Sequence, residues 1–319
     1  MPRPVDVPAL VEAARAGSPR AVARLITLVE DAHPALRELM AALAPHAGKA
    51  YVIGMTGSPG VGKSTSTTML VSALRERGKR VGILAVDPSS PFSGGALLGD
   101  RVRMQEHALD PEVYIRSMAS RGHLGGLAWT TPQAIRVLDS AGCDVVLVET
   151  VGVGQSEVEI AGLADTTVVL LAPGMGDGIQ AAKAGILEVG DVFVVNKADR
   201  DGADATVRDL RYMISLGDRT EPGLWRPPVV KTIAGRGEGV NEVMEALDKH
   251  IGWLERTGTL LERRLRRAAD EIEAIAVAAL RARIGDLRSG HGVAEHAEAV
   301  VAGRIDPYAA ADDVVAQLA

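Results

Sequence analysis

Cysteine is nearly absent from the 319-residue sequence, in which Cys143 stands alone. A single thiol cannot form an internal disulfide, and it cannot build a thiolate cluster for zinc or iron–sulfur. Long apolar runs are missing as well. No segment approaches the ~18 residues that a membrane span needs, and the residues after Met1 contain no apolar signal core. We therefore expect a cytoplasmic protein that does not contact a membrane.

An excess of positive charge is also lacking, because 41 acidic residues outweigh 35 basic ones and give a net charge of −6. Proteins that bind nucleic acids generally need surplus basic residues to displace counterions from the phosphates. We therefore expect no nucleic-acid partner.

Hydrophobic residues make up 47% of the chain, which is enough for a sizeable core. In residues 1–49 they recur every three or four positions, as in helices. From residue 50 onward, short runs that are apolar at every position indicate strands covered on both faces. The sequence thus predicts an α/β fold with a mostly parallel sheet flanked by helices. The predicted strands are Ala50–Met55, Val81–Val86, Val113–Ile115, Val145–Val148, Thr166–Leu171, Val192–Val195 and Val229–Val230.

Beyond residue 257 the strand pattern ends, and Leu261, Leu265, Ala268, Ile272 and Ile275 fall on one helical stripe. Two interpretations remain open for this helix, which either packs on its own domain or forms a dimer seam. We predict a helical N-terminal extension over 1–49, a nucleotide-binding domain over 50–256 and a helical C-terminal region over 257–319.

The segment Gly57–Ser64 fits the phosphate-loop pattern G-x-x-x-x-G-K-S directly after the first predicted strand. Glycines let backbone N–H groups turn toward phosphate oxygens, and the following helix directs its positive end at the same anion. Lys63 is then expected beside the β- and γ-phosphates, and the Ser64 hydroxyl is expected to bind Mg²⁺. The predicted nucleotide contacts here are Ser58, Pro59, Gly60, Val61, Gly62, Lys63, Ser64 and Thr65.

A second motif, N-K-x-D, follows the strand predicted over Val192–Val195. The Asp199 carboxylate can accept hydrogen bonds from guanine N1–H and from the exocyclic amino group, whereas adenine has no matching pair of donors. Asn196, Lys197 and Asp199 therefore predict binding of GTP and GDP rather than of ATP.

The strand over Val145–Val148 ends in the motif E-x-x-G. Glu149 is one methylene longer than the aspartate usual in GTPases, so we expect it to contact Mg²⁺ through water. The Gly152 amide is expected to sense the γ-phosphate. Asp87 and Asp100 could supply further carboxylates, although each could also be an ordinary turn aspartate. The predicted metal set is Ser64, Asp87, Asp100 and Glu149, and the predicted catalytic set is Lys63, Asp100, Glu149 and Gly152.

Hydrolysis without a partner is expected to be slow. GTPases often carry a glutamine just after this glycine to orient the attacking water, and this sequence has Val153 there. Gln155 lies two residues further along.

Together these segments resemble the MeaB-type GTPases, also labelled ArgK-type. The matching stretches are Gly57–Ser64, Ala85–Pro91, Leu98–Arg101, Glu149–Glu157 and Asn196–Asp199. The resemblance implies a P-loop GTPase of the signal-recognition-like class that gates adenosylcobalamin delivery to methylmalonyl-CoA mutase and protects this enzyme. It also implies a homodimer built through the C-terminal helices, and Mg²⁺ handling by the four-residue metal set.

The resemblance extends to two loops. It places a nucleotide-responsive loop over residues 173–180, which contain three glycines. In the last base-contacting loop the family usually has Thr-Ser-Ala, whereas this chain has Thr232-Ile233-Ala234. A backbone contact from Ala234 to the guanine oxygen survives that change. For the glycine-rich segment Arg121–Leu127 we derive no role.

Two other functions compete with this hypothesis. A metallochaperone GTPase would need a cysteine or histidine cluster, and the lone Cys143 argues against it. A kinase connected with amino-acid transport, as the ArgK label suggests, would need adenine selectivity. The motif over Asn196–Asp199 favours guanine instead.

Overall fold

The computed structural model describes residues 5–88, 105–120, 130–150, 156–174, 187–216, 223–289 and 292–316. Contacts divide the chain into two compact units, Met1–Leu260 and Leu261–Ala319. Among the described residues, no helix combines the length and the apolar character that a membrane crossing requires.

The first unit is built on a seven-stranded parallel sheet with the strand order β3-β2-β4-β1-β5-β6-β7. Each strand matches one of the predicted apolar runs to within two residues at either end, except that β3 continues to Ser120. The predicted α/β class is therefore confirmed. The strands are β1 (Tyr51–Thr56), β2 (Val81–Pro88), β3 (Val113–Ser120), β4 (Val145–Thr150), β5 (Thr166–Leu171), β6 (Val192–Val195) and β7 (Val229–Lys231).

Helices flank this sheet and continue into the second unit. Asp6 and Ser18 cap the first two, because each side-chain oxygen accepts a hydrogen bond from a backbone N–H in the first turn. The helices are α1 (Val7–Arg15), α2 (Pro19–Glu30), α3 (Leu36–Leu43), α4 (Lys63–Glu76), α5 (Thr131–Ser140), α6 (Ser156–Leu163), α7 (Leu187–Val189), α8 (Ala203–Leu216), α9 (Val240–Thr257), α10 (Thr259–Ser289), α11 (Gly292–Val301) and α12 (Pro307–Ala316).

Alternate side chains of the sheet enter cores on opposite faces. On one face Val52 and Val146 pack with helices α1, α2, α3 and α5. On the other face Ile53 and Leu147 pack with α4 and α9. Every residue of β1 and β4 is buried, because both faces of these strands are covered. The N-terminal helices therefore contribute to the same core as the sheet.

The order of the strands determines where a ligand can bind. Strand β1 lies in the centre, between β4 and β5, and its carboxyl end leads into the loop before α4. In parallel sheets of this kind, ligands bind at the carboxyl ends of the strands, where the direction of chain progression reverses. The residues that follow β1, β6 and β7 lie at this edge, and so do Glu149 and Thr150 at the carboxyl end of β4.

Cys143 precedes β4 and is 3% exposed within the core that contains α1 and α5. Burial raises the pKa of its thiol to about 12. Because the thiolate is the reactive form, we expect native protein at pH 8 to react with an aromatic disulfide reagent about 1,000-fold more slowly than unfolded protein. In unfolded protein, Cys143 should react completely and displace one equivalent of aromatic thiol from the reagent per chain. Equal reaction rates in the native and unfolded states would contradict this burial.

Candidate nucleotide site

The loop between β1 and α4 requires glycine at two positions. Gly57 has φ +141°, and a Cβ atom there would lie 2.2 Å from the carbonyl oxygen of Leu170. Gly62 has φ +96°, and its Cβ would lie 2.4 Å from Nδ2 of Asn196. The backbone thus turns in the left-handed region while it passes close to two other segments. This is the close backbone approach that a phosphate-binding loop needs.

Lys63, the first residue of α4, bends its side chain back over this loop. Its residue is only 8% exposed, and Nζ donates to the carbonyl oxygens of Gly57 at 2.7 Å and Ser58 at 3.2 Å. The ammonium group and the amino end of α4 therefore place positive charge at the same point. That combination favours an anion beside the loop.

Asn196 joins three segments that are far apart in the sequence. It is 3% exposed, and its Nδ2 donates to the carbonyl oxygen of Val61 at 2.8 Å. Its Oδ1 accepts hydrogen bonds from the backbone N–H of Ala234 at 3.0 Å and from Thr232 Oγ1 at 3.1 Å. The glycine-rich loop, the end of β6 and the end of β7 are thereby held together. Because the Ala234 N–H already donates to Asn196 Oδ1, a guanine oxygen could accept from it only as a second, shared acceptor.

Lys197 and Asp199 present the remaining groups of this motif. Lys197 has φ +57°, an uncommon backbone conformation for a residue with a side chain, and its Nζ donates to Gly60 O at 2.5 Å. The Asp199 side chain is 41% exposed, and its Oδ2 lies 3.9 Å from Arg236. The lysine is thus tied to the glycine-rich loop, whereas the carboxylate faces a region that a ligand can reach.

A cavity of about 630 Å³ lies between α4 and the loop after β7. Its lining includes Thr65 and Ala234, which the sequence predicts as nucleotide contacts, but also Met69, Ser72 and Glu76 further along α4. Neither Lys63 nor Asn196 belongs to this lining, so the cavity lies beside the phosphate loop and does not define the nucleotide site.

Glu149, at the end of β4, is 4% exposed and contacts two hydroxyl groups of α4. Ser64 Oγ donates to Oε1 at 2.7 Å, and Thr67 Oγ1 donates to Oε2 at 3.0 Å. A carboxylate and a hydroxyl side by side are hard oxygen donors of the kind that Mg²⁺ prefers. The residues present therefore fit a magnesium ion at the phosphate end of the loop.

Other members of the predicted site cannot be placed. Asp87 lies in strand β2, but its side chain is outside the described residues, as are Asp100 and Gly152 altogether. Most of the predicted responsive loop and the segment Arg121–Leu127 also lie outside them. In the part of the chain that the structure describes, no three His, Cys, Asp or Glu residues cluster as a metal site would require.

Two residues of the site, Thr67 and Thr232, are outside the predicted contact sets, although the resemblance places Thr232 in the last base-contacting loop. Thr232 holds Asn196, and Thr67 holds Glu149. A signal for Thr67 is present in the sequence, because it follows Ser64 by three residues on a predicted helix and hence lies on the same face. Nothing in the sequence around Thr232 indicates its partner.

Comparison with known proteins agrees with this geometry. The family model described as "Methylmalonyl Co-A mutase-associated GTPase MeaB" matches residues 22–287. A relative from Pyrococcus abyssi, whose name gives no more than the class GTPase, is 47% identical over 311 residues, which are 97% of this chain and 96% of the relative. The methylmalonic aciduria type A homolog of Mus musculus is 38% identical over 266 residues, covering 78% of this chain and 64% of the mouse protein.

A solved structure has the same architecture along the whole chain. The crystal structure of a LAO/AO transport system kinase matches with a TM-score of 0.72 and 26% identity, covering 98% of this chain and 97% of the other. The P-loop fold predicted from the sequence is thus confirmed. Since the family model covers most of the residues that form the fold and the site, this chain is a GTP-hydrolysing enzyme and belongs to the MeaB family of methylmalonyl Co-A mutase-associated GTPases.

Proposed function

We propose that this GTPase couples GTP binding and hydrolysis to the delivery of adenosylcobalamin to methylmalonyl-CoA mutase, and that it protects this enzyme. The observation that carries the proposal is the family match over residues 22–287, whose description names association with the mutase. The name of the mouse relative, which refers to methylmalonic acid, supports the same partner.

In this proposal the glycine-rich loop and Lys63 bind the phosphates of GTP. The main-chain N–H groups and the ammonium group neutralise the charge that develops on the transferred phosphoryl group. A magnesium ion, when bound, would add a further positive charge at the β- and γ-phosphates. Ser64 would hold it directly, and Glu149 would hold it through water. The distance of 2.7 Å between Ser64 Oγ and Glu149 Oε1 supports a magnesium site that both residues share.

The purine is selected at the opposite end of the site. Asp199 accepts hydrogen bonds from the two donors of guanine, while Asn196 and Lys197 keep the base-binding loop against the phosphate loop. The hydrogen bonds from these two residues to Val61 O and Gly60 O support this division of roles.

Hydrolysis by the protein alone is expected to be slow, because Val153 replaces the usual water-orienting glutamine. In a single-turnover experiment with Mg²⁺ we expect a rate constant of about 10⁻² s⁻¹ or less. Rates of about 1 s⁻¹ without a partner, in the range of a fully assembled GTPase, would contradict this expectation.

The partner is tested with purified adenosylcobalamin-dependent mutase from the same cells. The full-length GTPase is mixed with the mutase without nucleotide, with GDP and with a non-hydrolysable GTP analogue, and the complexes are separated by gel filtration. We expect a complex whose amount depends on the nucleotide, together with faster GTP hydrolysis. In the Asp199→Ala variant the nucleotide dependence should be lost. Failure to form a complex in all three states would remove the mutase as the partner.

We also propose that two copies pair through the C-terminal helices. Helix α10 carries Leu261, Leu265, Ile272 and Ile275 on one stripe, and their side chains are between 47% and 68% exposed in the single chain. Apolar side chains at such spacing are commonly buried against a second helix. This observation supports the dimer-seam interpretation of the sequence.

A charge placed in this stripe should separate the two copies. We expect wild-type protein to sediment with twice the 33.4 kDa chain mass, and the Leu265→Asp and Ile272→Asp double variant to sediment as a monomer. Ala274→Asp, compared with the single variant Ile272→Asp, is the matched control, since each adds one negative charge and Ala274 lies on the opposite face of α10. A monomeric wild type, or a double variant that remains dimeric, would contradict the proposal.

A further inference from the structure

The contact between Thr67 and Glu149 is not explained by nucleotide binding alone. Thr67 is 0% exposed, and its Oγ1 lies 3.0 Å from Glu149 Oε2. The same hydroxyl lies 3.1 Å from the carbonyl oxygen of Lys63, so its single proton is shared between the two acceptors. The other carboxylate oxygen of Glu149 accepts from Ser64. Each oxygen of this buried carboxylate is therefore held by a different hydroxyl group of α4.

The two hydroxyl groups differ in their relation to the phosphate loop. Ser64 belongs to the loop motif and is the proposed direct ligand of Mg²⁺. Thr67 lies one helical turn further from the loop, on the same face of α4. It contacts Glu149 at the oxygen that does not contact Ser64, so it can act on the ion only by orienting the carboxylate.

A glutamate at position 149 requires a hydrogen bond of this kind more than an aspartate would. Its side chain has one more rotatable bond than aspartate, and ordering that bond costs conformational entropy. A hydrogen bond to Oε2 restricts the carboxylate to one orientation and leaves Oε1 beside Ser64. Residues that orient a metal-binding group by a hydrogen bond contribute to metal affinity without contacting the ion.

We propose that Thr67 is a positioning residue for the magnesium site. Its hydroxyl group fixes the carboxylate of Glu149 in the orientation that places Oε1 beside Ser64. This inference rests on the proposed magnesium site. It predicts that the hydroxyl group of Thr67, rather than its volume, determines how strongly Mg²⁺ enhances nucleotide binding.

The test compares three variants of the full-length protein. Thr67→Val removes the hydroxyl group at nearly constant shape, and Thr67→Ser retains it. Thr206→Val is the matched control, because Thr206 is also buried and its Oγ1 donates to the carbonyl oxygen four residues earlier, Gly202 O, at 3.1 Å. It lies on α8, a different element from those that carry Thr67, Ser64 and Glu149. The affinity for a fluorescent GDP is measured over a range of Mg²⁺ concentrations and in EDTA.

We expect Thr67→Val to raise the Mg²⁺ concentration for half-maximal enhancement by about 10-fold, the value of one hydrogen bond to a charged group, and to leave binding in EDTA unchanged. Thr67→Ser retains the hydroxyl group, so its Mg²⁺ concentration for half-maximal enhancement should remain within about threefold of the wild-type value. Thr206→Val should behave as the wild type does.

A wild-type Mg²⁺ dependence in Thr67→Val would overturn the inference while leaving the magnesium site in place. A loss of GDP binding in EDTA, with an unchanged Mg²⁺ midpoint, would assign Thr67 a purely structural role and would also overturn it. If wild-type protein binds GDP equally well with and without Mg²⁺, the magnesium site itself fails, and this inference fails with it.

Discussion

The Asp199→Asn variant is expected to lose about 100-fold or more of its affinity for GDP and to gain affinity for xanthosine diphosphate, since each hydrogen bond to a charged acceptor contributes about 1.5–3 kcal/mol. Guanine presents N1–H and an amino group to the carboxylate. An asparagine amide would place a donor against that amino group. Xanthine has a carbonyl oxygen at this position, which can accept from the amide. The change therefore exchanges one base for another instead of only weakening binding.

Calorimetric titration with the two diphosphates measures this exchange. Asp201→Asn is the matched control, because it removes the same charge from an exposed residue two positions further along. We expect it to bind GDP as the wild type does. A variant at position 199 that keeps the guanine preference of the wild type would show that this carboxylate does not contact the base.

Replacing Lys63 with methionine is expected to lower the single-turnover rate of GTP hydrolysis by about 100- to 1,000-fold, as removal of a preorganised charge at a developing anion does in other enzymes. Methionine keeps much of the aliphatic length of the side chain but cannot donate to Gly57 O and Ser58 O, as the lysine does. Some loss of loop order will therefore accompany the loss of charge.

The hydrolysis rate at saturating GTP separates these two effects from weaker binding. Lys249→Met serves as the control, since Lys249 is an exposed residue of α9 that pairs with Glu245. It should hydrolyse GTP at the wild-type rate. If Lys63→Met retains more than about half of the wild-type rate at saturation, the transition-state role of this lysine is wrong.

Local sequence patterns predicted the elements that carry the site. The runs over Thr166–Leu171 and Val192–Val195 coincide with β5 and β6, because a strand covered on both faces is apolar at every position. The segment Gly57–Ser64 was recognisable because a chain that wraps a phosphate needs glycine, lysine and a hydroxyl at fixed spacing. Both signals lie within a few consecutive residues.

Contacts between distant segments could not be predicted in this way. Asn196 is 135 positions from Val61, and Thr67 is 82 positions from Glu149. Composition and periodicity show which face of an element is apolar, but not which polar side chains meet across two elements. The division of the chain at residues 49 and 256 also stays a prediction. In the structure the N-terminal helices share a core with the sheet, and the amphipathic pattern alone does not show which surface such helices cover.

The most direct test of the central claim is calorimetric titration of the wild-type protein with GDP and with ADP in the presence of Mg²⁺. If the loop before α4 holds the phosphates and Asp199 selects the purine, GDP should bind once per chain and at least about 100-fold more tightly than ADP. Equal affinity for the two nucleotides, or no binding of GDP, would contradict the account.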